Sequence, residues 1–268
     1  MKTIIFPTDF SENAENAMNF AIELANRNGA HLILLNSYEL PYADTVMTTS
    51  LIEVMRKNSE EQLEELKNDI HKRFPDLDIT YHSSMNNPIR AIKNHARKYN
   101  ADLVVMGTKG ASGIQEVLIG STTASVLSGN VCPVLAIPHK AHLKEMNKAI
   151  FFVDGRVEKS DKEALEFLSE FIRLVNAKLE IIHVYDKEGG DIEEPSILKE
   201  GLKVDYMFAN IKADDIEEGM SQYMSESNGD LAIMIKRKYT FIERLFHKSQ
   251  TTSMAYHSRV PMLAIQEL

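Results

Sequence analysis

Only one cysteine, Cys132, stands among 268 residues. That excludes an intramolecular disulfide and suits a reducing compartment. Positive charge is also scarce: 30 basic against 39 acidic side chains leave a net charge of −9. The chain therefore lacks the broad basic surface that binds nucleic acid non-specifically. Long apolar runs are missing too. The opening Ile4-Ile5-Phe6 is cut short by Pro7-Thr8-Asp9, too brief for a signal peptide or a membrane span, and the expectation is a soluble, cytoplasmic protein without membrane contact. None of the histidines falls at a zinc-type spacing, and no Gly-Lys-Ser/Thr closes a Walker-type loop.

What is present is a repeat. Residues 102–137 align without gaps on 230–265 at an offset of 128, with 11 identities in 36 pairs, among them Asp102/Asp230, Met106/Met234 and Pro133/Pro261. A second block, 17–38, aligns on 164–185 at an offset of 147 with six identities in 22. Two copies of one unit explain these matches better than one large domain. The expected division is a first domain over 1–139, a linker over 140–147 and a second domain over 148–268.

Each unit alternates strand and helix. In the first, the apolar run Thr3–Thr8 is a buried strand. Ser11 can cap a helix to Asn28, with Ala14, Ala17, Phe20, Ala21 and Leu24 at helical spacing and Gly29 as its stop. Ala30–Ser37 is the second strand, Ser50–Phe74 a long amphipathic helix, and Asp78–Ser83 the third strand. Pro88–Lys98 reads as a helix opened by Asn86 or Asn87. Asp102–Met106, Ser121–Ser128 and Cys132–Ile137 complete the unit as strand, helix and strand. Strands separated by helices imply an α/β fold of two tandem doubly wound domains, each a mainly parallel five-stranded sheet flanked by helices. Such sheets bind ligands beyond the carboxyl ends of their strands, where Asp9 and Gly107 both fall.

The most specific segment follows the fourth strand: Gly107-x-x-Gly110, nine residues, then Gly120-Ser121-Thr122-Thr123. Glycines let a ligand approach the backbone, and a helix N-terminus offers N–H groups and partial positive charge to a phosphate. In the second copy Gly107 becomes Ile235, Gly110 becomes Lys238 and Gly120 becomes Lys248. An isoleucine suits a positive-φ position poorly, so the expectation is one ligand per chain. Asp9 falls opposite Arg156 at the local offset and reaches Asp154 only with a two-residue gap.

With the glycine motif, the opening Pro7-Thr8-Asp9-Phe10-Ser11 and the closing Cys132-Pro133-Val134-Leu135 in place, the chain resembles the universal stress protein family in tandem form. The resemblance implies a Rossmann-like fold, of the adenine nucleotide alpha hydrolase-like kind, and ATP as ligand, with Mg2+ as an open possibility and no metal ligand identified. By resemblance, Pro7, Thr8 and Asp9 lie beside adenine and ribose and Met106 flanks the base. Gly107, Lys109, Gly110, Gly120, Ser121, Thr122 and Thr123 surround the phosphates. A few charge-assisted hydrogen bonds, less ordering costs, suggest affinity on the order of micromolar. The resemblance also implies an intramolecular pseudo-dimer joined at Val134–Ile137 and Met262–Ile265, and leaves further pairing of whole chains and a protein partner open.

Plainer readings compete. Cys132 suits a small core residue better than a reactive thiol. The charges over 53–72 read as a solvated face, with Leu63, Leu66 and Ile70 as the packed stripe. Lys236, Arg237, Lys238, Arg244, His247 and Lys248 read as a basic loop before they read as an anion site. The sequence assembles no set of general base, metal carboxylates and transition-state cation. It therefore points to a nucleotide-binding sensor or regulator. A slow ATPase or phosphotransferase, and a nucleotide-independent dimerisation module, are the alternatives.

Overall fold

A computed structural model describes residues 1–40, 48–108, 119–129, 131–141, 146–153, 157–236 and 260–266. The first half runs β1 (Thr3–Pro7), α1 (Glu12–Asn28), β2 (His31–Tyr38), α2 (Thr48–Arg73), β3 (Ile79–Met85), α3 (Pro88–Lys98), β4 (Leu103–Gly107), α4 (Ser121–Leu127) and β5 (Val134–Ile137). The second runs β6 (Lys148–Val153), α5 (Lys162–Val175), β7 (Lys178–Tyr185), α6 (Ser196–Gly201), β8 (Tyr206–Lys212), α7 (Ile216–Ser227), β9 (Leu231–Lys236) and β10 (Met262–Gln266). One sheet holds all ten strands in the order β3-β2-β1-β4-β5-β10-β9-β6-β7-β8. Every pairing is parallel except the central one. There β5 meets β10 antiparallel, with Leu135 opposite Leu263.

Strands covered by helices on both faces must be apolar on both faces, and the inner strands are. Ile4 and Phe6 face one core layer with Leu24, Leu63 and Phe171, while Ile5 faces the other with Ile92, Val126 and Met234. Helix α1 buries Phe20, Ile22 and Leu24, each stabilising the fold by roughly 1.5–3 kcal/mol relative to exposure. Gly29 ends it in the left-handed region at φ 60, and Asn176, its counterpart, ends α5 at φ 56. Cys132 is buried, and burial, reinforced by nearby Asp102, pushes its thiol up to about 12, so it is a core residue. Of the expected α2 stripe, Leu63 and Ile70 are buried and Leu66 packs against them.

The repeat extends to hydrogen bonds. The Asp102 carboxylate accepts from the N–H groups of Lys2 (2.7 Å) and Thr3 (2.8 Å). The Asp230 carboxylate accepts from those of Asn147 (2.9 Å) and Lys148 (3.0 Å). Strand register corrects one expectation. Ile4 pairs with Leu32 and Leu103, and Ala149 with Leu179 and Leu231, so the first strands correspond at an offset of 145. Thr8 therefore matches Val153, and the next residue, Asp154, rather than Arg156, matches Asp9. The sequence missed this because the loop after the first strand differs in length between the halves. Asp154 and Arg156 themselves lie outside the described residues.

Candidate functional site

Carboxyl ends of β1, β2 and β4 meet the start of α4 around a cleft of about 280 Å³, near the lower end of the range for small-ligand sites. Pro7, Thr8, Asp9, Met106, Gly107, Gly120, Ser121, Thr122 and Thr123 all line it. Of the expected site residues, Lys109 and Gly110 lie outside the described residues. Five further lining residues escaped the sequence reading: Ala14, Leu35, Ser37, Pro88 and Ile92. They come from α1, β2 and α3, which carry no motif, and a residue at a strand end or helix start announces its cleft only once the sheet is assembled.

One wall is the turn from β1 into α1. The Thr8 N–H donates to the Leu35 carbonyl (2.9 Å), and the Thr8 hydroxyl accepts from the Phe10 N–H (3.0 Å). The Asp9 carboxylate accepts from both the N–H and the hydroxyl of Ser11, at 3.1 and 2.6 Å. Ser11 occupies the helix-cap position without a side-chain bond to the helix, so its hydroxyl orients Asp9 instead of capping as the sequence suggested. Phe10 is held at φ 60, a left-handed conformation that costs an L-residue roughly 1–2 kcal/mol. Strain of this kind persists only where surrounding bonds over-determine it, and it concentrates at functional sites.

The opposite wall is the start of α4. The Thr123 hydroxyl donates to the Gly107 carbonyl (2.8 Å), and the Gly120 N–H to the Thr108 carbonyl (2.7 Å). These two bonds lash the end of β4 to the helix start. The first N–H groups of a helix have no intrahelical acceptor, and here those of Ser121, Thr122 and Thr123 border the cleft. Gly120 sits at φ −64, ψ 152, and Gly29 is the positive-φ glycine among the described residues. The expected need for positive φ at Gly107 is therefore corrected.

Among the described residues, the same place in the second half carries apolar side chains throughout. Pro7, Ser37, Ile92 and Met106 correspond to Phe152, Val184, Met220 and Met234, all buried within one apolar cluster. Helix α7 has Gly219 where α3 has Ala91, and a methyl group there would lie 2.4 Å from Ala213 Cβ and 3.0 Å from Val184 Cγ1. Ile235, opposite Gly107, is half-buried against the core. Lys238, Lys248, Ser249 and Gln250, like most of the basic loop, lie outside the described residues. Lys236, its first member, donates to the Ser128 carbonyl at the end of α4.

Among the described residues no group of three His, Cys, Asp or Glu side chains is placed to hold a metal ion, and no helix is long and apolar enough to cross a membrane. Away from the cleft, Tyr99 stacks with His82 and His95 at ring separations of 5.0 and 6.1 Å, and the two imidazoles lie tilted at 5.3 Å. Burial, then the neighbouring His95, Lys98 and His31, hold the His82 imidazole below its ordinary value.

A model of the universal stress protein family matches residues 1–138. Universal stress protein MJ0531 of Methanocaldococcus jannaschii is 29% identical over 142 residues, covering 51% of this chain and 81% of that protein. Universal stress protein YxiE of Bacillus subtilis is 26% identical over 142 residues, covering 48% and 93%. The crystal structure of a universal stress protein from Archaeoglobus fulgidus DSM 4304 superposes with a TM-score of 0.72 at 19% identity, covering 99% of this chain and 98% of that one. That likeness extends the shared fold over both halves.

Proposed function

The chain belongs to the universal stress protein family, and from that premise we propose that its first half binds ATP and that the protein acts as a nucleotide-responsive sensor or regulator. The observation that carries this reading is convergence: residues more than 100 positions apart in sequence meet around one cleft with an apolar slot and a polar rim. Leu35, Ile92 and Met106 supply the slot for a base, beside Thr8 and Asp9 for the ribose. Gly107, Gly120, Ser121 and Thr122 would receive the phosphates, with Thr123 holding β4 to α4 and Lys109 and Gly110 as further phosphate contacts. Backbone N–H groups and hydroxyls act here as donors to an anion. ATP would supply the negative charge and the aromatic base that such a cleft selects. Nothing in this reading requires a chemical step.

The division into 1–139, 140–147 and 148–268 is part of the proposal, with the halves acting as a pseudo-dimer whose second member stabilises the first and presents a surface to a partner. Calorimetric titration of ATP into the intact chain tests the site. Wild type should bind on the order of micromolar. Gly120→Val, which adds a branched side chain to the cleft wall, should weaken binding more than about tenfold, a loss of about 1.4 kcal/mol. Unchanged affinity in that variant would remove the phosphate assignment.

A further inference from the structure

Behind the Thr8–Asp9 turn runs a chain of polar side chains, two buried and one half-buried, that neither the motif nor the cleft lining accounts for. Ser83 on β3 donates its hydroxyl to Ser59 Oγ (2.7 Å), Ser59 on α2 donates to Asn36 Oδ1 (2.7 Å), and Asn36 Nδ2 on β2 donates to the Thr8 carbonyl (2.8 Å). Every donor points the same way, toward Thr8, and hydrogen bonds aligned in this manner polarise one another. Asn36 is 8% and Ser59 4% exposed, so water competes little with the chain. Serine is a poor choice for a helix interior on propensity alone. Ser59 is the buried polar residue of α2 among the described residues, and the relay gives it a reason.

The second half supplies an internal control. His183 stands where Asn36 stands, and its Nδ1 lies 3.2 Å from the carbonyl of Val153, the counterpart of Thr8. The grip on the first strand's end is thus repeated. Its outward extension is not. Asn210 replaces Ser83 in the register and is bonded instead to the backbone of Ile192, at 2.9 and 3.1 Å. A six-residue helix, α6, follows β7 where the first half has the 26-residue α2. The second half folds with the grip alone. The half with an open cleft adds two hydroxyls and a long helix.

We propose that Asn36, Ser59 and Ser83 are positioning residues for the nucleoside end of the cleft, coupling the placement of α2 to the Thr8–Asp9 turn and so to ATP affinity. This rests on the ATP reading above. A shift of α2 away from the sheet would take Ser59 from Asn36 and loosen the Thr8 peptide without touching the α4 start.

Calorimetry with ATP on the intact chain tests the coupling, with melting temperature followed in parallel. Ser59→Ala and Asn36→Ala should each weaken ATP binding about five- to tenfold. Asn36→His, which restores the grip used in the second half, should bind within about threefold of wild type. Ser169 is the structural comparator. It too is a buried helical serine, donating to the Leu165 carbonyl and accepting from the Lys203 N–H, but in the second half and outside the cleft lining. Ser169→Ala should lower the melting temperature and leave ATP affinity within about twofold. Ser59→Ala binding ATP as wild type does, or Ser169→Ala weakening it equally, overturns the positioning role alone. Wild type failing to bind ATP overturns the ATP reading and this inference together.

Discussion

Gly219→Ala separates packing from helix propensity. By propensity alone the change should help, because alanine in a helix interior is favoured over glycine by about 1 kcal/mol. The structure argues the opposite sign. The new methyl would meet Ala213 Cβ at 2.4 Å and Val184 Cγ1 at 3.0 Å. Ala213 has no torsion by which its Cβ can withdraw, and its N–H is committed to the Tyr185 carbonyl at 2.9 Å. Relief must come from moving α7 off the sheet, and overpacking of this kind costs about 1–3 kcal/mol. The net expectation is a loss of about 1 kcal/mol. Ala91→Gly at the matching position of α3 should also destabilise, by about 2 kcal/mol, through lost propensity and one unburied methyl. Urea denaturation followed by circular dichroism measures both. If Gly219→Ala were as stable as wild type or more so, the claim that α7 is drawn tight over Ala213 and Val184 would fail.

Three more expectations concern other parts of the molecule. Asp102→Ala and Asp230→Ala each release two strand N–H groups to water and should cost about 1–2 kcal/mol apiece in urea denaturation, adding in the double variant because the sites share no partner. The His82 pKa is lowered in the fold, so the unfolded chain takes up its proton first as pH falls below about 6.5. Stability should be full above that pH and decline beneath it until the folded-state value is passed, and His82→Gln should flatten the decline in denaturation midpoints measured between pH 7.5 and 5. ATP titrated into the intact chain should bind with a stoichiometry near one, since the second half has Phe152, Val184 and Ile235 where the cleft has Pro7, Ser37 and Gly107, and a value near two would refute that.

Much of the architecture was legible because it depends on local rules. Apolar runs bounded by Gly29, Pro75 and Pro88 mark strands and helices, and Asn87 caps α3 through the Ile89 N–H as its position suggests. The two ends of the glycine motif were legible because a strand end and a helix start must both appear in sequence. Register across a variable loop was not legible: the helix-derived offset puts Asp9 opposite Arg156 and reaches Asp154 only with a two-residue gap. Backbone angles were not either: glycine advertises freedom, but Gly120 uses an ordinary conformation, while the strained residue is Phe10, next to the cleft-lining Asp9, which no composition rule would choose. The Ser83–Ser59–Asn36 relay joins three elements that only the folded sheet brings together.

The antiparallel seam between β5 and β10 has a consequence for traffic around the molecule. Reversing the second half turns its strand ends over, so the carboxyl rim of β1, β2 and β4 and the carboxyl rim of β6, β7 and β9 lie on opposite borders of one continuous sheet. The connection from β5 to β6 therefore stays on a single border, where the Asn16 amide secures it through the carbonyls of Pro138 and Ala141. The cleft between Asp9 and Ser121 therefore opens on one border, and the carboxyl ends of β6, β7 and β9 face the other.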